Sequence, residues 1–82
     1  MSLIVEVQCP LHGFERFRVK IIKRTNIPSN EIVPKVKMKP RIGEISCLYI
    51  GRDISYAEAK DYLINYFRET KMGEIVGAKR ML

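Results

Sequence analysis

A chain of 82 residues with a formal net charge of +6 and 46% hydrophobic residues makes one domain. It buries about 60% of its unfolded surface in a single thin core, which argues against a deep catalytic cleft between domains. No apolar run approaches the roughly 18 residues of a spanning helix. The first residues, Met1 to Glu6, carry no cationic leader ahead of an apolar stretch, so the expectation is a soluble cytoplasmic protein with no membrane partner.

The charge is local. Between Glu15 and Arg41 nine Lys or Arg stand against two Glu, whereas the remainder carries six basic and seven acidic residues. A field concentrated in one segment can steer and hold a polyanion, and nucleic acid is the leading candidate.

In chain order, Leu3, Val5 and Val7 alternate with Ile4, Glu6 and Gln8, which predicts a first strand ending where Pro10 removes a ladder donor. The short link Cys9-Pro10-Leu11-His12-Gly13 then predicts a β-hairpin into a longer strand from Phe14 to Lys23. Ile21-Ile22 interrupts the alternation there and predicts a bulge or the strand's end. Asn26, Pro28, Ser29 and Asn30 mark a loop. A third strand, about Ile32 to Lys39, is bracketed by Pro34 and Pro40 and is expected at a sheet edge. Ile45 to Ile50 predicts a more buried fourth strand closed by Gly51.

Ser55-Tyr56-Ala57-Glu58 matches a capping box, with Glu58 expected to reach back to the cap amide and Ile54 placed to staple onto Ala59. The stripe Tyr56, Ala59, Leu63, Tyr66 and Phe67, with Tyr62 beside it, predicts a helix over about 55–71, ended at Gly73. Glu74 to Ala78 is an optional fifth strand. The fold expected is therefore α+β: a four- or five-stranded, mainly antiparallel sheet in the order β-β-β-β-α(-β), with one helix packed on one face. The domain spans 1–78, and 79–82 is a flexible tail. The helix is expected to cover the face carrying Val5, Val7, Phe17, Val19, Val36, Met38, Leu48 and Ile50.

Two stretches alternate cations with apolar residues at strand period: Arg16-Phe17-Arg18-Val19-Lys20-Ile21 and Lys35-Val36-Lys37-Met38-Lys39. Period two puts Arg16, Arg18, Lys20, Lys35, Lys37 and Lys39 on one wet face. If the two strands pair, like-charge repulsion across them calls for an anionic partner. These six are the candidate nucleic-acid-binding residues, acting on backbone phosphate and helped by Lys23, Arg24 and Arg41. The competing explanation for the lysines of the third strand is edge protection and solubility. Phe14 and Tyr49 are the stacking candidates, and since Phe17 alternates away from the arginines, a duplex or mixed backbone contact is expected over aromatic reading of single strands.

Cys9-Pro10-Leu11-His12-Gly13 resembles half of a zinc knuckle. Cys47 supplies a third candidate ligand, but no second Cys or His remains to close a four-ligand site, and turn chemistry alone accounts for the Pro and Gly. No metal or cofactor is therefore expected. Two free thiols are the default in a reducing compartment, although Cys9 and Cys47, at strand ends or edges, could meet across a sheet as a disulfide. No recognised catalytic motif is present and neither thiol has an evident cause for activation, so neither an enzyme nor a small-molecule substrate is expected. The alternative function is an assembly module, a homodimer formed through a sheet edge or through the helix face with its tyrosines.

Overall fold

Period-two alternation sorts the strands' side chains to two faces, and a single helix closes one of them. The computed structural model describes residues 1–10, 13–35 and 45–81. Its elements are β1 (Ser2–Cys9), β2 (Gly13–Lys23), β3 (Ile32–Lys35), β4 (Ile45–Ile50), α1 (Tyr56–Glu69) and β5 (Glu74–Met81). The five strands form one sheet in the order β3-β4-β2-β1-β5. All neighbours are antiparallel except β2 and β4, so the α+β class and the mainly antiparallel sheet are as expected.

The hairpin between β1 and β2 closes at Cys9 and Gly13, and that one pairing sets the register along both strands, including Val5 opposite Phe17 and Glu6 opposite Arg16. Leu3, Val5, Val7, Phe17 and Val19 consequently share a face with Leu48 and Ile50. Helix α1 lays Ala59, Leu63 and Phe67 on that face, and the rings of Phe17 and Phe67 meet tilted, with centroids 6.4 Å apart. Val36 and Met38, also expected in this core, lie outside the described residues. Strand β2 runs unbroken through Ile21 and Ile22, in regular parallel register with β4 from Arg18 to Lys23. No bulge forms there because both isoleucines have cover: Ile21 packs against the core, and Ile22 stands opposite Tyr49 on the other face.

Among the described residues, Lys35, the first residue of the second basic stretch, does not pair with β2. Strand β4 lies between β2 and β3, so Lys20 and Lys35 are two strand spacings apart, about 10 Å. The segment carrying the buried Leu48 and Ile50 takes the inner position, while β3 with Pro34 takes the edge, where a missing ladder donor is tolerated.

The fifth strand is longer than expected. Lys79, Arg80 and Met81, expected in a flexible tail, continue β5 opposite Ile4, Leu3 and Ser2. The first residues of β1 gain a second neighbour this way, which satisfies backbone groups on both sides of the strand. The register of β5 shifts opposite Glu6 and Val7, leaving Val76 as the extra residue of a bulge. That shift reverses the alternation: Ile75 and Ala78 both pack toward the core, and Gly77 and Lys79 fall on the opposite face with Glu6 and Ile4.

Helix α1 starts as the capping signal predicts, with the Ser55 hydroxyl accepting the Glu58 amide at 3.1 Å. The Glu58 carboxylate, however, is held by Arg52 in a two-pronged pair rather than by the cap amide. The helix ends on Thr70 in a Schellman arrangement: the Met72 amide donates to the Phe67 carbonyl at 3.0 Å and the Lys71 amide to that of Arg68 at 3.2 Å. Lys71, with φ of 59°, adopts the left-handed conformation that the motif requires, two residues before the expected stop at Gly73.

Candidate nucleic-acid interface

The face of the sheet turned away from α1 is built by the even-numbered residues of β1 and β2. Along β2 the outward column reads Phe14, Arg16, Arg18, Lys20 and Ile22, at about 6.7 Å per step, with Arg24 just beyond the strand. Arg16, Arg18 and Lys20 are all exposed. Register extends the column sideways. Lys79 and Arg18 flank Ile4, and Lys20 and Lys35 flank Cys47, so each pair of cations is two strand spacings apart in its row.

Of the six residues read from the sequence, Arg16, Arg18, Lys20 and Lys35 stand together on this face, whereas Lys37 and Lys39 lie outside the described residues, as does Arg41. Arg16 is not equivalent to the other three. Its guanidinium donates to the Glu6 carboxylate at 3.2 Å, an exposed pair that offsets one charge with another. Arg18 and Lys20 form no ion pair among the described residues. Lys23, named as a helper, falls in the alternate position of β2, and its ammonium lies 3.4 Å from Asp53 beside Ile54, away from the basic face.

Lys79 is a cation of this face that the sequence reading assigned to a tail. The continuation of β5 past Ala78 was not expected, and the bulge is a second obstacle, because unbroken alternation from Ile75 would have sent Lys79 to the core side. A depression of about 240 Å³ lies between it and Arg16, lined also by Ile4, Glu6, Gly77 and Ala78.

The segment after β2 supplies a second feature. Arg24 donates its amide to the Ile50 carbonyl at 2.8 Å, and its guanidinium lies over the Tyr49 ring, 5.0 Å from the centroid. Arg24, Asn26, Ile27 and Tyr49 line a depression of about 210 Å³. Gly51 lets this loop approach: a Cβ there would stand 2.1 Å from the Ile27 carbonyl oxygen and 2.5 Å from that of Pro28. Arg52 completes the clamp, donating from Nε to the Ser29 carbonyl at 3.0 Å while its other nitrogens hold Glu58 and the Asp53 carbonyl. Through these contacts the start of α1 and the end of β4 fix the loop that carries Arg24.

The cysteines do not come together. Cys9 is buried on the helix side at one end of β1, whereas Cys47 is half-buried on the open face, and both are free thiols. Cys47 is in register with Lys20, and hence with Ser2, seven residues along β1 from Cys9 or about 23 Å. Neither a disulfide nor a shared ion can join them at that separation. His12 lies outside the described residues, and among the described residues no three His, Cys, Asp or Glu gather into a metal-binding group. Among those residues no helix is long and apolar enough to cross a membrane.

No family model, curated protein or solved structure matches this chain.

Proposed function

We propose that the open sheet face binds nucleic acid through its backbone phosphates. The observation that carries this reading is the set Arg18, Lys20, Lys35 and Lys79, four exposed cations carried by three strands, β2, β3 and β5, on one face. The carboxylate of Glu6 is already engaged by Arg16. Cations spaced over a surface neutralise successive phosphates and release condensed counterions, which gives affinity without sequence preference and with a steep dependence on salt.

Fluorescence anisotropy with a labelled twelve-nucleotide strand and a twelve-base-pair duplex, from 20 to 200 mM salt, tests it. Four phosphate contacts give a log–log slope of about −2.8 on a single strand and about −3.6 on a duplex. The double variant Arg18→Ala, Lys20→Ala is expected to make the slope shallower by about 1.4 on the single strand and about 1.8 on the duplex, and Lys60→Ala on the helix is expected to leave it unchanged. Absence of binding at 20 mM salt, or an unchanged slope in the double variant, overturns the reading.

An assembly module is the second reading. It is favoured by the outer edge of β5, which has no neighbouring strand among the described residues and presents Val76, 62% exposed. The bulge at that residue opposes it, since bulges turn an edge away from pairing. A dimer in light scattering that dissociates on Val76→Lys would establish this reading, and a monomer at millimolar concentration would dismiss it.

A further inference from the structure

We infer that the occupant of this face is a single strand with unstacked bases, held by rings at the two ends of the cation column. The inference rests on the phosphate-binding reading and adds to it the form of the nucleic acid. The sequence favoured a duplex because Phe17 points away from the arginines, and Phe17 is indeed in the core. Two other rings lie on the open face. Phe14 begins the outward column of β2 and is 53% exposed, a large apolar side chain outside the core. Tyr49 stands opposite Ile22, near the column's other end, with the Arg24 guanidinium over its ring.

Between Phe14 and the level of Ile22 the chain advances eight residues, or about 27 Å. Arg16, Arg18 and Lys20 fill that interval, so ring, cations and ring follow one line. A nucleic-acid strand offers the complementary series, with phosphates along its length and bases able to turn onto aromatic or guanidinium planes. The span accommodates between about four and eight nucleotides, depending on how far the strand is stretched. Each ring also has an amide close by: Gln8 is the register partner of Phe14, and Asn26 lines the depression beside Tyr49. Amide groups can pair with the Watson–Crick edges of bases only when those edges are free of a complementary strand.

A duplex fits less well for a steric reason. The major groove, about 12 Å wide, admits a helix or a two-stranded ribbon. Here the cations lie on β3, β2 and β5 of a five-stranded sheet about 19 Å across, which cannot enter the groove. A duplex would touch the cations with its outer backbone and leave both rings unused.

Three probes of equal length separate the possibilities: a twelve-nucleotide oligothymidylate, an abasic strand with the same phosphates, and a twelve-base-pair duplex. At 50 mM salt the oligothymidylate is expected to bind at least about fivefold more tightly than the abasic strand and the duplex. Phe14→Leu and Tyr49→Leu should each remove about fivefold or more from thymidylate binding while leaving the abasic strand unaffected. The chain has no tryptophan, so Phe14→Trp and Tyr49→Trp supply single reporters whose emission thymidylate should quench and the abasic strand should not. Equal binding of thymidylate and abasic strand with an unquenched reporter, or tighter binding of the duplex, overturns the single-strand inference and leaves phosphate binding standing. Failure of all three probes to bind at 20 mM salt overturns both.

Discussion

Lys20 and Lys35 stand opposite the same residue, Cys47, from the two strands that flank β4. The intervening strand sets the lysines about 10 Å apart rather than the roughly 5 Å of a direct cross-strand pair. At 0.1 M salt that distance is about one Debye length, so their mutual repulsion is largely screened. Across β4, therefore, these two lysines are tolerated without an anion between them.

The same relationship makes Cys47 a reporter for occupancy. It is half-buried on the open face between two cations, whereas Cys9 is buried on the other side of the sheet. In the native protein, alkylation read by mass spectrometry is expected at Cys47 and not at Cys9. Saturating oligonucleotide at low salt should slow Cys47 modification several-fold, and moderate salt should abolish the protection. Equal alkylation rates with and without bound oligonucleotide would place the binding surface elsewhere.

The Arg52–Glu58 pair carries a pH dependence with a definite sign. Hydrogen bonding from Arg52 holds the Glu58 carboxyl below its ordinary value, although partial desolvation opposes this. A carboxylate depressed in the folded state contributes stability that is present above the ordinary glutamate range and lost as the pH falls through the folded value. Arg52→Met and Glu58→Gln are each expected to lower Tm at pH 7, with the Glu58→Gln difference shrinking as the pH falls below the ordinary glutamate range and through the lowered folded value. Both ends are exposed, so added salt should reduce the effect at pH 7. A Glu58→Gln difference that is constant with pH would show that the ion pair contributes nothing.

What was legible in the sequence was whatever local periodicity encodes. The alternation around Val5, Phe17 and Leu48 and the stripe through Ala59, Leu63 and Phe67 identified the core face, and Ser55 identified the helix start. Arg18, Lys20 and Lys35 were placed on the open face by the same rule. Pairing between distant strands is not a local property, so the insertion of β4 between β2 and β3 was invisible. Lys79 was assigned to a tail because the pairing that extends β5 beside β1 is likewise non-local, and the bulge at Val76 would have inverted its face even had the strand been extended. The Arg16–Glu6 pair could have been found, since closing the hairpin at Cys9 and Gly13 brings those two residues opposite each other. Nothing local announced that Arg52 would take Glu58 from the cap or that Arg24 would cover Tyr49.

Lys71 pays a conformational cost that glycine would not. Its φ of 59° lies in the left-handed region, where a Cβ is disfavoured and where the Schellman motif most often carries glycine. Lys71→Gly is expected to stabilise the protein by about 0.5–1 kcal/mol, the native strain relieved being partly offset by the freer unfolded chain. For a domain of this size that is a rise in Tm of roughly 2–8 °C. Gly73→Ala should act in the opposite sense and more strongly, because φ there is 131° and a Cβ would stand 2.7 Å from the Gln8 carbonyl oxygen. A Lys71→Gly variant no more stable than the parent would mean that the lysine side chain makes contacts worth as much as the strain.

Gly51 links stability to the proposed binding face. The carbonyls of Ile27 and Pro28 occupy the space a side chain would need, and backbone cannot step aside as a flexible side chain can. Gly51→Ala must therefore lift the loop from the end of β4, at a cost of about 1–3 kcal/mol. The same movement would pull Arg24 away from the Tyr49 ring, since Arg24 is anchored to the Ile50 carbonyl next to the glycine. The expected result is a lower Tm together with weaker binding of oligothymidylate, while the abasic strand, which engages Arg18, Lys20, Lys35 and Lys79 alone, is held as before. If Gly51→Ala weakens both probes equally, the loop supports the whole face rather than the ring at its end. Thermal denaturation and anisotropy on the one variant distinguish these outcomes.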